Sequence, residues 1–247
     1  MRFFIVFFII ILTPLLSFGQ VNIEDLRGGS KEGFSGTIDV GFERLTGNND
    51  VLTYALKNRV DYVQKTHHIF LQLSSEKGVN EGVDFKDEAF AHLRWTTMWW
   101  GFAGTDFFIQ SQYDDFKDLK IRQLEGGYLR LVSPLFDGEV ALGLGAMSEY
   151  EQLKEGGGEG FTTRFTNYVS LTEKWFGGKL KMSLTGYYQP KVEDHSDYRM
   201  TAVGQVGVNI IGGFSILPSF KYSYDSKPPK GVVVDDLQLK LYMRYHW

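Results

Sequence analysis

Five histidines, His67, His68, His92, His195 and His246, and no cysteine set the chemistry open to this chain. Thiolate nucleophiles, thiolate metal sites and disulfides are excluded at once. A hydrolytic pair on one β-strand needs an imidazole and a hydroxyl two residues apart, so that the ring can take the hydroxyl proton. Two residues beyond the first four histidines stand Ile69, Phe70, Arg94 and Asp197, none of them such a nucleophile. Glu193-Asp194-His195-Ser196-Asp197 supplies acids and an imidazole of the kind a peptidase or a divalent ion would use. A short polar run of that sort is more commonly a solvated turn. Asp114, Asp115 and Asp118 are candidate calcium ligands that lack EF-hand spacing. Glu155-Gly156-Gly157-Gly158-Glu159-Gly160 has no Lys to meet a phosphate. The sequence therefore predicts no catalytic, cofactor-binding or metal-binding residue.

A broader signal lies in charges placed at alternate positions among apolar residues. Leu237, Leu239, Leu241, Met243, Tyr245 and Trp247 share one parity, while Gln238, Lys240, Tyr242, Arg244 and His246 share the other. A period of two over that length predicts a strand with one apolar and one wet face. The pattern recurs along the chain. Asp39, Lys57, Arg59, Asp61, His92, Arg94, Asp106, Glu149, Arg164, Lys181, Arg199, Lys221, Lys240 and Arg244 all fall on the proposed wet face. That is too much charge for a packed soluble core, which counts against a β-sandwich or a lipocalin-like barrel. A transmembrane barrel accommodates it, with a lipid face, a lumen face and aromatics at the rims. The C-terminal assembly strand would then carry Leu239, Leu241, Met243, Tyr245 and Trp247 toward lipid.

The alternation predicts an all-β, antiparallel up-and-down barrel with strands at 34–45, 51–64, 68–75, 85–99, 102–113, 119–132, 139–152, 161–174, 179–191, 198–210, 214–225 and 232–247. Twelve strands fit at about eighteen residues per strand and turn, with ten or fourteen left open by boundary drift. Connections near Thr46, Glu76, Asp114, Glu155, Glu193 and Ser226 are charged and mostly longer, whereas the others are short and Gly-rich. That asymmetry is expected of periplasmic turns and outer loops. The 119–132 segment fits least well, because Arg122, Gln123, Glu125 and Arg130 interrupt both parities.

Arg2 precedes an apolar run, residues 3–12, followed by Thr13-Pro14 and a small-residue exit at Ser17-Phe18-Gly19-Gln20. The run is short for a membrane helix and reads as a cleaved secretory signal rather than an anchor. The expected organisation is a signal at 1–20, a periplasmic lead at 21–33 and a barrel at 34–247. With 26 basic and 30 acidic residues, the charge is mixed and mildly acidic. No basic patch for nucleic acid follows from that.

The Gly-Asn turn Thr46-Gly47-Asn48-Asn49-Asp50, the run Asp115-Phe116-Lys117-Asp118-Leu119-Lys120-Ile121-Arg122 and the following Gly126-Gly127-Tyr128 carry a resemblance. They are similar to the domain of unknown function 481 family, which includes salt-stress-induced outer-membrane proteins. The Glu125-Gly126-Gly127-Tyr128 spacing departs from that family's Gly-x-Gly-Tyr. The end of the signal is similar to those of Bacteroidetes exported proteins. The resemblance implies an outer-membrane β-barrel and implies no activity.

The expected function is passive: a narrow channel for small polar or ionic solutes, or an envelope-integrity or stress protein. The alternative is an outer-membrane barrel enzyme, hydrolysing lipid or peptide at the outer rim; a loop-based receptor or adhesin is a third. No cofactor is expected. The expected partners are outer-membrane lipids, the barrel-assembly machinery and small polar solutes.

Overall fold

The computed structural model describes residues 32–45, 51–154, 159–229 and 231–247. The expected signal, most of the expected lead, and the turns at 46–50 and 155–158 lie outside the described residues. The strands are β1 (Gly33–Leu45), β2 (Val51–Gln64), β3 (His67–Asn80), β4 (Val83–Trp100), β5 (Ala103–Asp114) and β6 (Leu119–Leu135). They continue as β7 (Gly138–Leu153), β8 (Glu159–Trp175), β9 (Leu180–Pro190), β10 (Tyr198–Ile211), β11 (Phe214–Asp225) and β12 (Asp235–His246). Each pairs antiparallel with its sequence neighbours, and β1 pairs with β12 to close a twelve-stranded barrel. The seam pairs Thr37–Gly41 with Tyr242–His246 and so closes the sheet on itself.

Turn chemistry sets the two ends. At one end the strands are joined by Lys65-Thr66, Gly101-Phe102, Phe136-Asp137, the 176–179 turn and Gly212-Gly213. Gly212 and Gly213 have φ of 54° and 85°, the left-handed pair that matches the twist of a tight hairpin. The opposite end carries the longer connections at 191–197 and 226–234.

Three boundaries differ from expectation. Residues 76–84, expected as a polar loop, are mostly strand: β3 continues to Asn80, β4 begins at Val83, and only Glu81-Gly82 turns. Here Lys86 lies 2.9 Å from Glu76 and Lys77 lies 3.3 Å from Asp87. With polar side chains on both faces, such a hairpin keeps its backbone ladder but loses the alternation that marks a strand. Conversely, β12 starts at Asp235 rather than 232, because β11 ends at Asp225, whose N–H donates to the Val234 carbonyl at 3.1 Å as the last rung of the ladder. The sharp turn after β4 is likewise Gly101-Phe102, with Trp99 and Trp100 still in the strand.

Alternation sorts the two faces as expected. Leu239, Leu241, Met243, Tyr245 and Trp247 are all exposed on the outside, Leu239 by 74 %. Leu71, Leu93, Ile109, Leu144, Val169 and Leu184 continue the apolar exterior around the wall. Soluble monomers rarely expose apolar patches beyond a few hundred Å². Aromatics ring both ends of this band. Phe34, Trp100, Phe102, Phe136, Phe176 and Trp247 lie at the short-turn end, and Tyr150, Phe161, Tyr188, Tyr198 and Tyr224 at the loop end. Two aromatic girdles around an apolar band are the exterior of a membrane-spanning barrel.

Candidate functional site: the barrel lumen

The lumen is partly filled at mid-height. Inward Phe70, Phe90, Phe108, Leu124, Tyr128, Met147, Tyr168 and Tyr187, from β3 through β9, form an apolar cluster. Gly143 makes room for it: a β-carbon there would stand 2.0 Å from the Tyr168 ring. His92 sits among Phe70, Phe90 and Phe108, with ring centroids 5.6, 6.0 and 5.7 Å away. Its Nδ1 is 3.1 Å from Gln110 Oε1.

Buried charge is held inside this cluster. Arg94, with 0 % of its surface exposed, donates from Nη1 to Asp106 Oδ2 at 3.3 Å. Thr96 and Tyr168 also donate to Asp106, at 2.5 and 3.3 Å, and Arg130 donates to the Tyr168 hydroxyl at 2.5 Å. The Arg94 guanidinium lies 5.3 Å from the Tyr128 ring centre, and that of Arg59 lies 3.8 Å from the Phe70 ring centre. Such ring faces offset part of the desolvation of a cation. Arg59 also donates to Asp61 at 2.8 Å, and His68 Nε2 is 2.7 Å from the same carboxylate.

Toward the loop end, Glu149 gathers three arginines. Arg164 donates to it at 2.6 Å, and Arg122 and Arg199 close on the other oxygen. Arg199 reaches Glu151 at 3.1 Å and Asp225 at 2.6 Å, while Arg164 reaches Asp197 at 2.8 Å. The cross-links join β6, β7, β8, β10 and β11. Buried ions demand such multiple pairing because desolvation would otherwise dominate.

Beside this network a cavity of about 190 Å³ runs along the loop-end half of the lumen. Lys57, Glu76, Glu88, Lys117, Arg122, Glu151, Gln205, Lys221, Asp225 and Lys240 line it. Its lining extends from Pro229 and Val232 among the loops down to Tyr242 and Asp39. Asp39 faces Arg244 across the β1–β12 seam, with paired contacts of 2.5 and 2.6 Å. Below the level of Arg244, the lysines Lys174 and Lys181 are register partners on β8 and β9.

The residues expected in the lumen thus separate by role. Asp39 with Arg244, Arg59 with Asp61, Arg94 with Asp106, and Glu149 with Arg164 and Arg199 are brought together as buried pairs. Lys57, Lys221 and Lys240 line the cavity, with Lys240 bound to Glu76. His92 packs among rings, and Lys181 is half-buried and apart from the cavity. The sequence reading missed Arg122 and Arg130. In β6, Arg122, Leu124, Tyr128 and Arg130 point inward together while Gln123, Glu125, Leu129 and Leu131 point outward. Their equal parity was the available signal, obscured by the inward apolar Leu124 and Tyr128. Gln123 and Glu125 pair with Tyr150 and Ser148, at the level of the loop-end aromatic girdle.

The other chemical candidates disperse. Asp194 bonds Lys227 at 2.6 Å, His195 meets the Phe165 ring, and Asp197 turns in to Arg164. The Lys227 ammonium holds the exposed Asp194 carboxyl well below the usual carboxylate range. Asp114 faces Lys117 and Asp115 faces Lys154. Among the described residues no three His, Asp or Glu side chains converge as a metal site would require. His67 Nδ1 lies 3.1 Å from Thr97 Oγ1 on the exterior, with no hydrogen bond from the ring to a carboxylate that would orient it.

The barrel is similar to solved membrane barrels. The NanC porin superposes with a TM-score of 0.50 at 8 % identity, covering 85 % of this chain and 97 % of that one. The translocator domain of the autotransporter NalP from Neisseria meningitidis gives 0.47 at 10 % identity, covering 90 % of each chain. The beta domain of the Bordetella autotransporter BrkA gives 0.41 at 10 % identity, covering 87 % of this chain and 98 % of that one. Likeness at such identities concerns the fold alone. No curated protein matches the chain in sequence. The model of the family described as "Protein of unknown function, DUF481" matches residues 38–247, and the chain belongs to that family.

Proposed function

We propose that this protein resides in the outer membrane and gives small polar or ionic solutes a narrow passive path through its lumen. The observation that carries this reading is the cavity of about 190 Å³, entered among the loops and lined by charges of both signs inside a closed barrel. A wall carrying both signs replaces the hydration of an ion or zwitterion piecewise, and it need not hold any one solute tightly. The fold likeness to a porin agrees with this reading. Catalysis has less support, because the imidazoles are stacked on rings, paired to acids or, for His67 beside the Thr97 hydroxyl, without a carboxylate to orient the ring.

A structural role is the second reading, favoured by one observation: the Glu149 network ties β6, β7, β8 and β10 together inside the barrel. Planar-bilayer recording of the purified chain distinguishes the two. Discrete conductance steps that change with Lys240→Glu support the path. A silent barrel that loses stability when Glu149 is replaced supports the brace.

A further inference from the structure

The acids that line the cavity are occupied. Glu76 is held by Lys86 and Lys240, Asp225 and Glu151 by Arg199, and Asp114 by Lys117. The donors are not. Arg122, 4 % exposed, bonds Glu149 through Nε but leaves Nη2 without an acceptor. Gln205, 7 % exposed on β10, has no acceptor for Nε2. Lys221, on the neighbouring β11, has no hydrogen bond or ion pair among the described residues, and its electrostatic neighbours include Lys117 and Lys240 as well as Glu88 and Asp236. In register, Gln205 lies opposite Ser219, so Gln205 and Lys221 are diagonal neighbours on the same inner face. All three donors line the one cavity.

A buried donor without an acceptor is costly, and buried polar groups almost always find a partner. Two buried donors without acceptors and the half-buried, unpaired Lys221 ammonium, around a space far above the roughly 10–15 Å³ that one water needs, point to an anionic guest. We propose that the loop-end lumen binds a small oxyanion, a carboxylate or phosphate, between Arg122, Gln205 and Lys221. This deepens the reading of a passive path by giving the solute's charge: the preferred solute carries an accessible oxyanion and enters from the loop side. Guanidinium and ammonium supply the charge, and the Gln205 amide supplies direction. The site holds its guest in a shallow well, which suits a conduit.

The test uses the full mature chain in detergent, titrated calorimetrically with succinate, with inorganic phosphate, and with glucose and putrescine as neutral and cationic controls. Saturable binding of succinate or phosphate is expected, with neither control binding. Lys221→Gln should weaken it about tenfold, as loss of one charge-assisted hydrogen bond would. Lys221→Arg should retain most of it. Succinate without phosphate identifies an organic acid as guest, and phosphate without succinate an inorganic or phosphorylated one. Equal response to glucose, indifference to Lys221→Gln, or no binding at tens of millimolar would overturn the site. Bilayer recording separates this from the path itself. Conductance without anion preference or succinate block refutes the site and keeps the path; binding by a silent barrel keeps the site and refutes the path.

Discussion

Gly36 and Trp247 exchange both of their backbone hydrogen bonds, each at 3.0 Å, across the seam between the first and last strands. The indole of Trp247 lies over Gly36, where a β-carbon would stand 2.5 Å from the ring and 2.8 Å from the Arg59 carbonyl oxygen. One residue thus closes the ladder and covers the seam from the lipid side, and the absence of a side chain at Gly36 permits it.

Gly36→Ala should therefore impair closure. The ring can rotate, but the Arg59 carbonyl belongs to the β2 backbone and cannot yield without distorting the ladder. A cost of about 1–3 kcal/mol is expected from such overpacking. Folded barrels resist unfolding by detergent on unheated gels, so the fraction running as the compact form should fall in Gly36→Ala. It should recover in part when Trp247→Leu is added. Unchanged mobility in the single variant would mean that the seam tolerates the extra carbon.

Glu149→Gln should destabilise the barrel more than any single change at its exposed rim. The carboxylate is the common partner of Arg122, Arg164 and Arg199, and its loss leaves buried guanidinium groups facing one another. Removing one member of a buried ionic network typically costs about 3–5 kcal/mol. Guanidinium-induced unfolding from lipid vesicles should show the drop. Lys227→Gln, which removes only the exposed Asp194 contact, should leave the midpoint almost unmoved.

Much of this fold was legible because lipid and water impose opposite rules on alternate residues. Strands such as β1, β11 and β12 present Val40, Phe220 and Leu241 to one side and Asp39, Lys221 and Arg244 to the other. There the parity of charge revealed the lumen. The reading failed where the solvent on the two sides was the same or the lumen was dry. At the loop end, Glu76 and Lys77 alternate without contrast, so a paired hairpin looked like a loop. At mid-barrel, Tyr128 and Leu124 are apolar and inward, so apolarity no longer marked the lipid face and Arg122 and Arg130 seemed out of phase. Which charges pair across the lumen depends on strands distant in sequence, as with Glu149 and Arg199, and no local pattern encodes that.

The Asp39–Arg244 pair sits at the lower end of the cavity and should limit any flow through it. Replacing both residues by Ala removes two opposed charges without leaving either unpaired, so the barrel should still fold. If solutes pass here, unit conductance should rise severalfold in Asp39→Ala/Arg244→Ala. Arg94→Ala is the contrasting change: it empties a site within the aromatic cluster and should cost stability before it changes conductance. Equal conductance in the double variant and the parent would place the flow-limiting contact elsewhere.

The membrane setting itself is open to a depth measurement. Trp100 ends β4 beside the short turn at Gly101-Phe102, whereas Trp95 lies five residues further along the same strand. At about 3.3 Å per residue and a barrel strand tilt of roughly 35–45°, Trp95 should sit about 12 Å deeper than Trp100. Both rings face outward, exposed by 49 % and 62 % in the isolated barrel. In vesicles whose acyl chains carry bromine near the bilayer centre, a chain with Trp95 as its sole tryptophan should be quenched strongly and one with only Trp100 weakly. Bromine placed near the headgroups should reverse the order. A chain that stays monodisperse without detergent and whose fluorescence ignores both lipids would contradict the assignment of the apolar exterior to hydrocarbon.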